Sequence, residues 1–135
     1  MLGRSREEMP DPIAFTSLPI STSALVSPGL DMNEYLIRHP AATFCFRMEG
    51  NAMMRAGVLS GDILIVDRTL TPVNGDIIVA IVDGEFVVRR LCIRPEYMLE
   101  TDGFQKPQKV QDLSDFELWG VVTYVIHAVV NSTRE

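Results

Sequence analysis

The sequence predicts a mainly β domain, a compact and curled antiparallel sheet with one short helix and an extended N-terminal arm. Six segments are rich in β-branched and aromatic residues, and each is bounded by Gly, Pro, Asn or Asp. The stretch 82–85, "VDGE", places Asp-Gly between two such segments, which is a strong hairpin signal. Short strands at this spacing favour a closed antiparallel architecture over alternating β and α units.

The arm is expected at residues 1–30. This segment contains four prolines and the Ser/Thr-rich run "TSLPISTSALVSPG", with neither helical nor strand periodicity. The folded domain is therefore expected at residues 31–135, a length at which one domain can bury a core.

The helix is expected at residues 32–38, within "DMNEYLIRHP". Asp31 is the predicted N-cap, and Glu34 follows three residues later, as in a capping box. Pro40 is the predicted stop, because proline cannot continue a helix.

The six expected strands lie in "ATFCFRME", "DILIVD", "DIIVAIV", "EFVVRRLCI", "EYMLE" and "ELWGVVTYVIHAVV", and "SGD" and "NGD" mark two further turns. Alternation along each strand then predicts which side chains form the apolar face. These are Phe44, Phe46, Ile63, Ile65, Ile78, Ala80, Val87, Leu91, Val121 and Tyr124.

Charge and hydropathy exclude several classes of function. The net charge of −6 and the pI near 4.9 argue against direct binding to nucleic acid, which draws its affinity from a basic surface. A link to DNA is therefore expected through a protein partner. No apolar run is long enough to span a membrane, and the N-terminus lacks the apolar stretch of a signal peptide, so a cytoplasmic location is expected.

Neither a metal site nor a cofactor is expected. Cys45 and Cys92 lie in apolar strand-like segments, where reduced cysteines are usually small core residues. His39 and His127 have no second ligand at a metal-like spacing, so structural roles are expected for both.

Three segments together, "GNAMMRAGVLSGDILIVDR", "GDIIVAIVDGEFVVRRL" and "WGVV", resemble the catalytic domain of the LexA/UmuD family of self-cleaving serine peptidases. The resemblance covers residues 31–128. It is closer to the UmuD branch, because a short arm stands where a LexA-type repressor has a DNA-binding domain. A repressor that has lost its helix-turn-helix domain is disfavoured, because the arm is short and proline-rich. The resemblance implies the curled LexA/UmuD C-terminal fold.

The resemblance also implies a Ser-Lys dyad, and this sequence lacks both partners. In the family pattern a Gly-x-Ser-Met turn presents a serine near N–H groups that stabilise an oxyanion, and a buried lysine of depressed pKa acts as base. Here Ala52 stands between Gly50-Asn51 and Met53, so the nucleophile is absent. The base position falls on Arg89, whose guanidinium stays protonated. The chain's lysines, Lys106 and Lys109, lie away from the hairpin.

The cleavage site departs from the pattern as well. The resemblance places the bond at Thr16-Ser17, where self-cleaving relatives carry a small residue followed by glycine. Thr16 is β-branched and Ser17 lacks the conformational freedom of glycine, so this bond is poorly suited to the strained, extended pose that cleavage requires.

Two explanations of Ala52 remain open, a laboratory replacement of serine and a natural pseudo-protease. Arg89 and Thr16-Ser17 favour the second, because a single engineered change does not account for them. By resemblance, the expected function is a catalytically inactive, dimeric SOS-response module that regulates translesion synthesis. The expected partners are a second copy or an active UmuD-like protein, a Y-family DNA polymerase subunit and a RecA filament. The alternative is a RecA-stimulated self-cleaving peptidase, represented here by an inactivated copy.

Overall fold

The computed structural model describes residues 31–102 and 105–130, so the predicted arm lies outside the described residues. The described chain forms one antiparallel sheet of seven strands in the order β1-β2-β7-β3-β4-β5-β6. The strands are β1 (Thr43–Arg47), β2 (Ile63–Asp67), β3 (Ile77–Val82), β4 (Glu85–Cys92), β5 (Met98–Glu100), β6 (Gln108–Lys109) and β7 (Phe116–Ile126). One α-helix, α1 (Met32–Leu36), precedes the sheet, and 3₁₀ turns occupy Pro40–Ala42, Met54–Ala56 and Val110–Asp112. The predicted antiparallel β fold is confirmed.

Two details of the secondary structure differ from the prediction. Helix α1 is capped as expected, because the Asp31 side chain accepts the Asn33 N–H at 3.0 Å, but it ends at Leu36. The next residue, Ile37, is already extended, with φ −115° and ψ 99°. Strand β6 was not expected, since its two exposed residues, Gln and Lys, carry no apolar pattern.

Strand β7 lies between β2 and β3 and bends through two bulges. Against β2, the register moves from Ile65–Tyr124 to Val66–Val122, so Thr123 is the extra residue. Against β3, it moves from Val79–Gly120 to Ala80–Leu118, which makes Trp119 the extra residue. A bulge bends its strand and increases the local twist, so β7 curls the sheet at two points.

The curl brings β1 and β4 together, although three strands separate them in the sheet. Four strand spacings of about 4.8 Å would hold these strands roughly 19 Å apart in a flat sheet. The rings of Phe46 on β1 and Phe86 on β4 have centroids only 5.4 Å apart. Trp119 contacts both rings, at 5.0 Å and 5.7 Å. The sheet therefore closes toward a barrel, with an aromatic cluster where its two sides meet.

The core consists of two clusters, and the predicted apolar face is confirmed in part, because Ile65, Ile78, Ala80, Leu91 and Val121 are buried. Strands β2, β3 and β7 are covered on both faces, so consecutive residues such as Ile65 and Val66, or Ile78 and Val79, are all buried. The first cluster contains Met48, Met53, Val58, Leu64, Val66, Val79 and Val122. The second contains Leu70, Ile78, Ala80, Leu91, Leu99 and Val121.

The first strand departs furthest from the predicted core. Phe44 is 43% exposed, and its ring contacts Trp119 edge-on with centroids 5.1 Å apart. Cys45 is exposed too, contrary to its expected place in the core. Strand β1 pairs only with β2 in the described sheet. It is therefore an edge strand, and its side chains are covered by neighbouring strands on one side only.

Both histidines bind buried carboxylates. His39 Nδ1 lies 2.7 Å from Asp67 Oδ2, and His127 Nδ1 lies 2.6 Å from Asp62 Oδ1. Within residues 31–102 and 105–130, no three His, Cys, Asp or Glu side chains are grouped so that they could hold a metal ion. The same residues include no helix of the length and apolarity that a bilayer crossing requires.

The close approach of β7 and β2 at Gly120 predicts a specific stability effect. A Cβ at Gly120 would lie 2.6 Å from Val66 Cγ1 and 3.4 Å from the Asp67 carbonyl oxygen. Since Val66 is buried and β-branched, it cannot turn aside, and Gly120→Ala should lower the free energy of unfolding by about 1–3 kcal/mol. Urea denaturation measures this.

The control is the same change in a Val66→Ala background, where the opposing methyl group is absent. Most of the cost of Gly120→Ala should disappear there, because neighbouring substitutions that share one clash are not additive. Additive costs in the double variant would contradict the proposed contact.

Candidate functional site

The connection between β1 and β2 carries Ala52, and its two ends are firmly paired. The Met48 N–H donates to the Asp62 carbonyl and the Gly61 N–H donates to the Met48 carbonyl, both at 2.8 Å. The Asp62 carboxylate also accepts the Leu59 N–H at 2.8 Å. These bonds extend the β1–β2 ladder and fix the base of the connection.

Residues 49–57, hereafter the Ala52 loop, are anchored by one buried side chain. Met53 is fully buried in the first core cluster, and its carbonyl accepts N–H groups from Ala56 and Val58, each at 3.1 Å. Gly57 ends the 3₁₀ turn with φ +89°, a left-handed conformation that favours glycine. The loop therefore holds Ala52 at the start of a tight turn above the core.

A further hydrogen bond joins the Ala52 loop to the other side of the sheet. The Asp102 N–H, just after β5, donates to the Ala52 carbonyl at 2.8 Å. The Ala52 methyl group packs on the first cluster, as does Val88 of β4. Position 52 is therefore held both by the core and by the segment that follows β5.

Ala52 and Arg89 line the same cleft, which has a volume of about 380 Å³. Ala52 comes from the β1–β2 connection, whereas Arg89 lies in β4, where its register partner on β3 is Ile78. Gly50 and Asn51 also line the cleft, while Met53 lies beneath it. Thr16 and Ser17 are outside the described residues. The cleft is lined by Phe46, Arg47, Met48, Glu49, Gly50, Asn51, Ala52, Leu64, Val79, Phe86, Val87, Val88 and Arg89.

The Arg89 side chain is half-buried, and burial lowers the pKa of its guanidinium. An arginine so placed remains protonated, because its ordinary pKa lies far above neutrality. Its Nη1 donates to the Val88 carbonyl at 2.8 Å. No carboxylate of the described chain lies within ion-pair distance of it. The cleft wall therefore contains a half-buried positive charge that forms no ion pair with a described carboxylate.

Among the described residues that line the cleft, none carries a hydroxyl, a thiol, an imidazole or an amine, and Glu49 is the one carboxylate. The alanine methyl group cannot attack a carbonyl carbon, and the guanidinium cannot accept a proton. Lys109 lies in β6 and pairs with Glu96 at 3.4 Å, and neither Ser60 nor Lys106 lines the cleft. The described lining therefore lacks the hydroxyl and the amine that a Ser-Lys dyad requires.

The aromatic side of the cleft was not expected from the sequence. Phe46 was assigned to the core and Phe86 was assigned no role, yet both line the cleft and Phe86 is 55% exposed. The position of Phe86, two residues after the Asp83-Gly84 turn, could have indicated exposure. Its contact with Phe46 depends on the curl of the sheet, which sequence alternation does not show.

Comparison with known proteins agrees with the motifs. A family model described as Peptidase S24-like matches residues 14–123. Protein ImpA of Salmonella typhimurium is 46% identical over 98 residues, which cover 73% of this chain and 68% of ImpA. Protein MucA of Escherichia coli is 40% identical over 97 residues, or 70% of this chain and 66% of MucA. The LexA repressor of Glaesserella parasuis serovar 5 is 32% identical over 83 residues, covering 55% of this chain and 40% of the repressor.

The hydrogen bonds at the base of the Ala52 loop predict an acid-dependent loss of stability. The Leu59 N–H and, secondarily, the His127 ring hold the pKa of the Asp62 carboxyl below its ordinary value of 3.8, against the opposing effect of burial. A carboxyl whose pKa is lowered by folding stabilises the fold above its unfolded pKa, and this contribution is lost as the pH falls through the folded value. Below about pH 4, the unfolding free energy of the wild type should therefore fall more steeply than that of Asp62→Asn.

Urea denaturation followed by Trp119 fluorescence, from about pH 6 to about pH 3, measures both slopes. His127→Ala should give an intermediate slope, because the Leu59 N–H remains. Identical acid slopes for the wild type and Asp62→Asn would contradict the assignment.

Proposed function

Because the chain belongs to the Peptidase S24-like family, as a UmuD-like member of it, we propose that it is a non-cleaving binding module of the SOS mutagenesis response. The observation that carries the proposal is that Ala52 and Arg89 line one cleft, since the resemblance assigns these two residues to the positions of the family's serine and lysine. The module acts by binding, as a dimer that regulates error-prone translesion synthesis.

The chemistry of the two positions supports an inactive cleft. Acyl transfer by this family's mechanism needs a hydroxyl as nucleophile and a neutral amine as base. Ala52 supplies no hydroxyl, and the protonated Arg89 supplies no lone pair. Each change by itself removes a required group, so the arm is expected to remain attached at Thr16-Ser17.

The partners follow from the family and from the charge of the chain. The module forms a homodimer, or a mixed dimer with an active UmuD-like protein, and binds a Y-family DNA polymerase subunit. A RecA filament is a further partner. With a net charge of −6, it reaches DNA through these proteins rather than by direct contact, and it acts in the cytoplasm.

The second candidate function is a self-cleaving peptidase whose serine has been replaced. The geometry of the Ala52 loop favours it, since Gly50 and Gly57 have positive φ values of +88° and +89° and Met53 is fully buried. A serine at position 52 would be presented in the same turn. Repair of the dyad separates the two candidates.

Restoring only the serine or only the lysine of the dyad should not restore self-cleavage. Restoring both residues should give a variant that can cleave itself. Ala52→Ser should stay uncut even at alkaline pH, because Arg89 keeps its proton, and Arg89→Lys should stay uncut because no hydroxyl is present. Ala52→Ser with Arg89→Lys should cleave weakly, and faster when Thr16-Ser17 is also changed to Ala-Gly. Gel electrophoresis with RecA filaments present detects a chain shorter by sixteen residues.

A matched control for the base position is Ala52→Ser with Arg90→Lys, which places a lysine one residue away from the cleft position. This variant should remain uncut. Rapid release of the fragment by Ala52→Ser alone would show that another residue supplies the base, and would favour the peptidase over the binding module.

The dimer is expected because the sheet has two edge strands, β1 and β6, and a second copy can cover an exposed edge. Light scattering at micromolar concentration should give twice the 15.1 kDa mass of one chain. A mass near that of one chain over the same concentration range would contradict it.

A further inference from the structure

Arg89 is a half-buried charge that has no ion-pair partner among residues 31–102 and 105–130. Its side chain is half-buried in the wall of the cleft, and the Val88 carbonyl is its hydrogen-bond acceptor in the described chain. One neutral acceptor satisfies one of five N–H donors of a guanidinium. Removing a charge from water is costly unless a partner compensates it, so the position favours an anion brought by a ligand.

The other charges around the cleft leave the region near Arg89 positive. Arg47 also lines the cleft, with its Nη1 held by the Gly61 carbonyl at 3.0 Å, and Glu49 is the one acidic residue of the lining. Glu49 is exposed and forms no ion pair with a described residue. The cleft thus carries a net positive charge in a chain whose total is −6.

The shape of the cleft indicates an extended peptide rather than a small anion. Its apolar walls are formed by Phe46 and Phe86 on one side and by Leu64 and Val79 at its floor. It lies beside the end of β1, the terminal strand of the described sheet, whose outer edge has no strand partner. Free strand edges bind extended peptides through main-chain hydrogen bonds, and neighbouring pockets read the side chains.

We propose that the cleft binds an extended peptide segment of a partner protein and selects a carboxylate side chain through Arg89. The apolar walls take the residues that flank the acidic one, and the guanidinium forms a charge-assisted hydrogen bond with it. The inference rests on the proposed function, because only a cleft that does not cut can retain a peptide. It specifies the peptide that the module recognises, which is an extended segment with an acidic residue between apolar ones.

A polyanion does not fit the same observations. The overall negative charge of the chain repels a phosphate backbone, and the two arginines of the cleft give little of the extended positive surface that nucleic acid needs. A single carboxylate on an apolar peptide matches the half-buried guanidinium of Arg89 and the apolar walls.

The test compares two synthetic peptides, acetyl-Ala-Val-Glu-Val-Ala-amide and its glutamine counterpart, on the full chain. Calorimetry gives the affinities, and the fluorescence of Trp119, which contacts Phe46 at 5.0 Å, reports binding at the cleft. The glutamate peptide should bind about tenfold more tightly, the usual gain from a hydrogen bond between charged groups. Arg89→Gln should abolish this preference.

Arg90→Gln is the matched control, because Arg90 lies next in β4 but bonds to the Gly75 carbonyl and lines a different pocket. It should leave the preference intact. Equal affinities of the two peptides for the wild type, or no binding of either, would overturn the proposal. Displacement of the glutamate peptide by inorganic phosphate at equal concentration would also overturn it, because binding would then depend only on the negative charge of the ligand.

One further variant tests the occupant. This variant removes three acidic side chains of the arm together, by the changes Glu7→Gln, Glu8→Gln and Asp11→Asn. If it binds the glutamate peptide more tightly than the wild type does, the arm competes for the cleft, and the assignment to a partner is overturned. Unchanged affinity supports a partner. Mass spectrometry of the same samples reports cleavage separately, so a failed peptide preference and a failed claim of inactivity are distinguishable.

Discussion

Strand β7 is the constraint on which the cleft depends, because it is the strand that pairs with both halves of the sheet. On one side it holds β2 and, through β2, the connection that carries Ala52. On the other side it holds β3 and, through the β3–β4 hairpin, Arg89. Its two bulges curl the sheet until Phe46 and Phe86 meet, and Gly120 allows its backbone to approach Val66. The two walls of the cleft are therefore positioned by one bent strand.

The same scaffold can serve cleavage or binding, and two side chains decide between them. The Ala52 loop keeps the turn, the buried Met53 anchor and the bond from Asp102 to the Ala52 carbonyl. A hydroxyl and a neutral amine at positions 52 and 89 would make this geometry a reaction site. A methyl group and a guanidinium make it a rigid groove with one fixed positive charge. The proposed change of function requires no change of fold, which agrees with the principle that function depends on the site.

The sequence was sufficient for the local features of the fold. Each of these features depends on residues that are neighbours in sequence, and each was predicted. They are the Asp31 cap, the turns at Gly61 and Gly75 and the β3–β4 hairpin. Alternation identified only part of the core, because it assumes one covered face, whereas β2, β3 and β7 are covered on both. It also could not show that Phe46 and Phe86 meet, since their contact arises from bulges far along the chain. For the site, the motif directed attention to Ala52 and Arg89. Their shared cleft, and the lack of an ion pair between Arg89 and any described carboxylate, are properties of the folded chain.

The most direct test of the central claim is intact mass spectrometry of the unmodified chain after long incubation with RecA filaments and nucleotide, at neutral and alkaline pH. Neither the alanine at position 52 nor the protonated guanidinium at position 89 can form or resolve an acyl intermediate, so a single species of 15.1 kDa should persist in every sample. A species that lacks the first sixteen residues, increasing with time and absent without RecA filaments, would contradict the account.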